Sequence, residues 1–90
     1  MNSTQKEILD ITQEECGEVV VAISKISRFG ADNTKPGKPR TNRQHLAEEL
    51  GDLQAMIDLC VSKGIVDGEE VKQACAAKLE KLRQWSNIFT

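Results

Sequence analysis

Aromatic residues, histidine and cysteine are all scarce in this sequence of 90 residues. Three residues are aromatic and none is tyrosine, which argues against a base-stacking platform for single-stranded nucleic acid and against an aromatic-rich β-sandwich. The cysteines, Cys16, Cys60 and Cys75, are odd in number and far apart. This spacing argues against a disulfide framework and against a zinc site, so we interpret them as small apolar residues on helix faces.

Long apolar runs are absent as well. No run approaches the about 20 residues that span a bilayer, and residues 1–5 are polar, without the apolar centre of a signal peptide. The net charge is −2 and indicates no partner by itself. We therefore expect a cytoplasmic, all-α protein with a single domain over residues 1–90, whose small core would make a lone monomer marginal.

The charge is distributed in four alternating blocks along the chain. Residues 28–43 carry five basic residues against one acidic residue, whereas residues 44–70 carry seven acidic residues against one basic residue. Residues 1–27 are acidic and residues 71–90 are basic. This alternation favours a folded site that holds cations and anions together over a basic nucleic-acid surface.

Periodicity and breaker residues predict three helices, over about residues 4–28, 42–63 and 67–85. Glycine, proline, asparagine and three basic residues concentrate at about 30–41, which predicts a basic loop. Asn42 is the expected N-cap of the second helix. Asp67, with Glu70 three residues later, is the expected N-cap of the third.

Two pairs of acids fall within or beside the apolar stripes when residues are placed at about 100° each on the first two helices. These pairs are Glu15 with Glu18 and Glu49 with Asp52. Buried, unpaired carboxylates are unfavourable, and neighbours at i, i+3 also repel each other. Any single acid can instead reach solvent at the edge of its stripe or pair with a lysine. Two matching pairs favour compensation by a bound cation.

Four carboxylates facing one volume supply oxygen ligands, which hard divalent cations such as Mg²⁺ prefer. A di-iron carboxylate bundle is the main competitor, and it uses Glu-x-x-His motifs. The only histidine, His45, precedes Glu48 in the reverse order, so the motif is missing. We interpret His45 as a surface residue in the first turn of the second helix, with a substrate contact as the alternative.

The run E-E-C-G-E at 14–18, followed by E-E-L-G-D-L at 48–53, resembles the E-E-x-x-E and E-x-x-D signature of the MazG-like, all-α nucleoside triphosphate pyrophosphohydrolases. The surrounding residues look like the small phage and bacterial members. The resemblance implies hydrolysis of a nucleoside or deoxynucleoside triphosphate between the α- and β-phosphates, which gives a nucleoside monophosphate and pyrophosphate. It also implies Mg²⁺, with Mn²⁺ as a substitute, held by Glu15, Glu18, Glu49 and Asp52. Glu14 would either support the metal ligands as a further acid or help to orient the attacking water, and Glu14 and Glu15 are the implied catalytic residues.

A triphosphate also requires cationic partners. Lys78 falls on the packing face of the third helix, either to bind phosphate or to pair with an acid of the other helices. Trp85 is a candidate for stacking on the base, with packing as the alternative. The basic residues of the loop are candidates too, with solvated charges as the alternative. The remaining candidates for substrate binding are Lys25, Arg28, Lys81 and Arg83.

Three helices with a carboxylate-lined interior leave apolar surface that one chain cannot cover. We therefore expect a homodimer or homotetramer of four-helix-bundle type, as the resemblance also implies, with the third helix at the interface. The rival interpretation is a non-catalytic helical adaptor or a protein that sequesters a nucleotide without turnover. An adaptor has no reason to keep acids in its apolar stripes, so the sequence favours the enzyme.

Overall fold

A computed structural model describes residues 1–90 and contains three helices and no strands, apart from an isolated bridge between Thr34 and Thr41. The helices are α1 (Ser3–Phe29), α2 (Asn42–Ser62) and α3 (Gly68–Trp85). The predicted all-α fold class is confirmed, and each helix boundary lies within one residue of the prediction. No helix has both the length and the apolar character needed to cross a membrane.

Side-chain caps fix where the helices begin. Thr41, not Asn42, is the N-cap of α2: its hydroxyl accepts from the backbone N–H of Gln44, and the Gln44 side chain accepts from the N–H of Thr41. The prediction for Asn42 was wrong because its amide instead donates to the carbonyl of Gly30, 2.9 Å away. Asp67 caps α3 as predicted, since its carboxylate accepts from two backbone N–H groups of the first turn.

The first two helices form an antiparallel hairpin. At one end the Gln5 side chain donates to the carbonyl of Lys63, and at the other the N–H of Arg43 donates to the carbonyl of Ala31. These contacts join the start of α1 to the end of α2 and the end of α1 to the start of α2. The core between the two helices is a cluster of three buried residues, Ile8, Met56 and Cys60.

In contrast, α3 has no buried residue and lies apart from the hairpin. The radius of gyration is 16.1 Å, whereas a compact chain of this length has about 12 Å. The chain is 43 × 38 × 15 Å, so it is little thicker than one layer of helices. Much of the apolar side of α3 is therefore uncovered within the chain: Leu79 is 46% exposed and Trp85 is 83% exposed.

Candidate metal and phosphate site

The hairpin brings three of the predicted acids together. Glu15 of α1 meets Glu49 and Asp52 of α2, and one carboxylate oxygen from each lies within 4.8 Å of the others. The antiparallel arrangement places the middle of α1 beside the first half of α2, which is where these acids occur. Glu14 and Glu18 line the same hollow but are exposed to solvent.

Within this cluster, Glu15 is the residue whose charged form is most disfavoured. Its Oε2 atom is buried and has no hydrogen-bond partner. Burial is the largest cause that raises the pKa of Glu15, followed by the charges of Asp52, Glu49, Glu18 and Glu14. A bound cation would satisfy this buried carboxylate oxygen, which has no hydrogen-bond donor and lies among further carboxylates. Because the ligand atoms that this cluster offers are all carboxylate oxygens, the residues fit Mg²⁺ or Mn²⁺.

His45 was interpreted as a surface residue, and this interpretation was wrong. Its side chain is buried, and its Nε2 atom lies 3.2 Å from Oε1 of Glu49. The two residues are one helical turn apart on α2, so they lie on the same face. This i, i+4 spacing to a predicted ligand was the signal in the sequence that could have identified His45.

A basic groove of about 730 Å³ adjoins the carboxylates, a size typical of small-molecule sites. We call it the phosphate groove. It lies between the last turns of α1 and the loop 30–41, and the start of α2 closes it. Val21 lines both the groove and the carboxylate hollow, so the two are adjacent. The cationic residues that line it are Lys25, Arg28, Lys35, Lys38 and Arg40.

Four of these five cations have no carboxylate partner. Arg40 pairs with Glu48 of α2, while Lys25, Arg28, Lys35 and Lys38 make no ion pair. The groove therefore presents an excess of positive charge next to an excess of negative charge. This is the local arrangement that the alternating charge blocks predicted.

The ends of the loop 30–41 are fixed by hydrogen bonds and charge. The backbone N–H of Asn42 donates to the carbonyl of Asn33, and the Arg43 side chain pairs with Asp32 at 3.1 Å. A hydrogen bond from Arg43, reinforced by its charge, lowers the pKa of Asp32. Arg43 is therefore occupied as an anchor for the loop.

The remaining predicted residues lie on α3, outside both the hollow and the groove. Lys78 was placed on a packing face, but within one chain α3 has no buried residue and Lys78 is exposed. Arg83 lies over the ring of Phe89 at 4.8 Å and 3.7 Å from Glu80. Lys81 and Trp85 are exposed as well. A single chain thus brings Lys25 and Arg28 to the site but none of the α3 candidates.

Comparison with known proteins agrees with this geometry. The family model for the MazG nucleotide pyrophosphohydrolase domain matches residues 3–85. The chain belongs to the MazG family. No curated protein and no solved structure gives a significant match. The MazG match includes all of α3, so this helix is part of the domain even though it stands apart from the hairpin.

Proposed function

We propose that this MazG protein hydrolyses nucleoside or deoxynucleoside triphosphates between the α- and β-phosphates, with Mg²⁺ as the cofactor and Mn²⁺ as a substitute. One observation carries the proposal: the buried, unpartnered oxygen of Glu15 lies among carboxylates in a hollow that shares Val21 with a groove lined by four unpaired cations. The carboxylates would bind a metal ion and the neighbouring basic side chains would bind phosphate groups. Together they suit a polyphosphate with a bound metal ion.

Glu15, Glu49 and Asp52 would hold the metal, with Glu18 at the open side of the hollow. When bound, a divalent cation polarises phosphate oxygens and lowers the pKa of water. Glu14 lines the same hollow and is exposed, so its carboxylate is free to orient the attacking water and accept its proton.

The chemistry balances without a protein nucleophile. The oxygen of water bonds to a phosphorus of the α–β anhydride while the bond from that phosphorus to the bridging oxygen breaks. The products are a nucleoside monophosphate and pyrophosphate. Lys25 and Arg28, with Lys35 and Lys38 from the loop, would bind the β- and γ-phosphates and so stabilise the negative charge of the pyrophosphate product.

A second copy of the chain would complete the structure. The apolar side of α3 is uncovered, and two hairpins together supply the four helices of a bundle. In such a homodimer or homotetramer, α3 of one chain lies near the hairpin of its neighbour. Lys78, Lys81 and Arg83 would then add positive charge to the neighbour's groove, and Trp85 would cover the base.

Incubation with a panel of nucleoside and deoxynucleoside triphosphates and Mg²⁺, followed by product analysis, tests the proposal. We expect monophosphate and pyrophosphate in equal amounts. Reaction in ¹⁸O-labelled water identifies which phosphorus is attacked, since the label enters the monophosphate or the pyrophosphate. Release of diphosphate and orthophosphate would contradict the cleavage position, and no turnover of any nucleotide would favour the adaptor.

Matched variants distinguish the loss of a charge at the site from the loss of a charge elsewhere on the surface. Glu49→Gln removes one carboxylate of the cluster and should abolish turnover, whereas Glu7→Gln removes an exposed acid of α1 and should not. Lys25→Ala should raise the KM for nucleotide, because it removes a phosphate partner. Lys6→Ala removes an exposed lysine far from the groove and should leave KM unchanged.

A further inference from the structure

His45 occupies the boundary between the two halves of the site. Its side chain lines the phosphate groove, and its Nε2 atom contacts Oε1 of Glu49, which does not line that groove. Both side chains are nearly buried, at 10% and 13% exposure. The three ion pairs of the chain have side chains at least 38% exposed. The contact between His45 and Glu49 is therefore more shielded from solvent than any of them.

The start of α2 brings the two side chains into contact. Thr41 caps the helix, His45 follows one turn later, and Glu49 lies one further turn along the same face. The cap anchors the first turn, from which the imidazole reaches Glu49. Of the other two α2 acids near the site, Glu48 pairs with Arg40 at the surface and Asp52 is exposed without an ion pair.

We propose that His45 is a positioning residue: it fixes the Glu49 carboxylate toward Glu15 and Asp52 and separates it from the cations of the phosphate groove. The proposal rests on the proposed function only in making Glu49 a metal ligand. Groups that contact a ligating carboxylate commonly tune metal affinity by 10- to 100-fold, about the size of effect expected here. Without the imidazole, Glu49 can turn toward the positive charge of the groove and away from the other two carboxylates.

Direct titration with Mn²⁺, followed by the loss of its free electron paramagnetic resonance signal, tests this without turnover. We expect His45→Leu to weaken Mn²⁺ binding by about 10-fold or more. His45→Gln keeps a polar nitrogen on the same face, and we expect it to restore most of the affinity. As a control, Ile8→Val trims the core, so it should lower Tm without changing Mn²⁺ affinity.

Steady-state kinetics provides a second measurement. Saturating Mn²⁺ should restore most of kcat in His45→Leu, and the KM for nucleotide should change little because the groove cations remain. Unchanged Mn²⁺ affinity in His45→Leu would overturn the proposal, and so would a loss in His45→Gln as large as that in His45→Leu. Wild-type protein that binds Mn²⁺ but hydrolyses no nucleotide would contradict the proposed function alone. Wild-type protein that binds no Mn²⁺ would overturn both.

Discussion

Among single residues, Glu15 gives the sharpest electrostatic prediction because its pKa is raised by burial and by four neighbouring acids. The folded protein thus holds the Glu15 proton to higher pH than the unfolded chain does. The stability that this proton confers is present below the ordinary pKa of 4.5 and is lost as the pH rises through the raised value. Metal-free Glu15→Gln should therefore melt at a higher temperature than metal-free wild type at neutral pH, with the difference vanishing at low pH.

Melting curves at one protein concentration, in EDTA and in Mg²⁺, test this directly. Mg²⁺ should raise the Tm of wild type and have little effect on Glu15→Gln, which lacks the charge that the cation neutralises. Glu7→Gln should respond to Mg²⁺ like wild type. Identical melting of wild type in Mg²⁺ and EDTA would count against the metal site.

Protons and metal ions should also compete at Glu15. As the pH falls through the raised pKa of Glu15, the carboxylate becomes neutral and affinity for Mn²⁺ should fall, by at most about tenfold per pH unit for one proton. Mn²⁺ titrations across the acidic and neutral range check this, with Glu15→Gln as the control that lacks the titrating group. The same pH dependence in Glu15→Gln would assign the competition to another acid.

At the scale of elements, the loop 30–41 should owe its order to its anchors. Asp32→Asn removes the negative charge that pairs with Arg43, so we expect faster hydrogen exchange at the backbone amides of Asn42 and Arg43, which donate back into the loop. Because Arg43 lowers the pKa of Asp32, the pair is intact above the ordinary pKa of 3.8 and is lost only as the pH falls further. The effect should therefore be constant around neutral pH.

The α3 pair between Arg83 and Glu80 offers a control for that measurement. Glu80→Gln breaks an exposed pair of similar kind on another helix and should leave exchange in the loop unchanged. Equal exchange in Asp32→Asn and wild type would show that the backbone hydrogen bonds hold the loop without the ion pair.

The helices and the acid cluster could be predicted because both depend on short-range regularities. The apolar period of α1 and α2, with breakers at Gly30 and Gly64, determines the hairpin, and the hairpin determines that Glu15 meets Glu49. The burial of His45 could not be predicted in this way, because it depends on how the loop closes over the first turn of α2. Which cations of the loop form ion pairs, and which do not, also depends on the conformation of the loop.

At the scale of the whole molecule, the exposed apolar side of α3 predicts self-association. Leu79→Asp places a charge on that side, so we expect it to reduce the sedimentation mass and to make Tm depend less on concentration. Gln73→Asp places the same charge on the opposite side of α3 and should leave assembly intact. A wild-type chain that sediments as a monomer at micromolar concentration would contradict the expected assembly.

Whether α3 serves its neighbour's site can be decided by mixing two inactive variants. Glu49→Gln disables the hairpin of a chain, and Lys78→Ala disables its α3. If each site combines the hairpin of one chain with α3 of the other, a mixed dimer contains one doubly defective site and one wild-type site. Unfolding and refolding a 1:1 mixture should therefore recover about a quarter of wild-type activity, since half of randomly assembled dimers are mixed. If each site lies within one chain, α3 does not reach it, so Lys78→Ala alone should stay active and mixing should give only the average activity of the two variants.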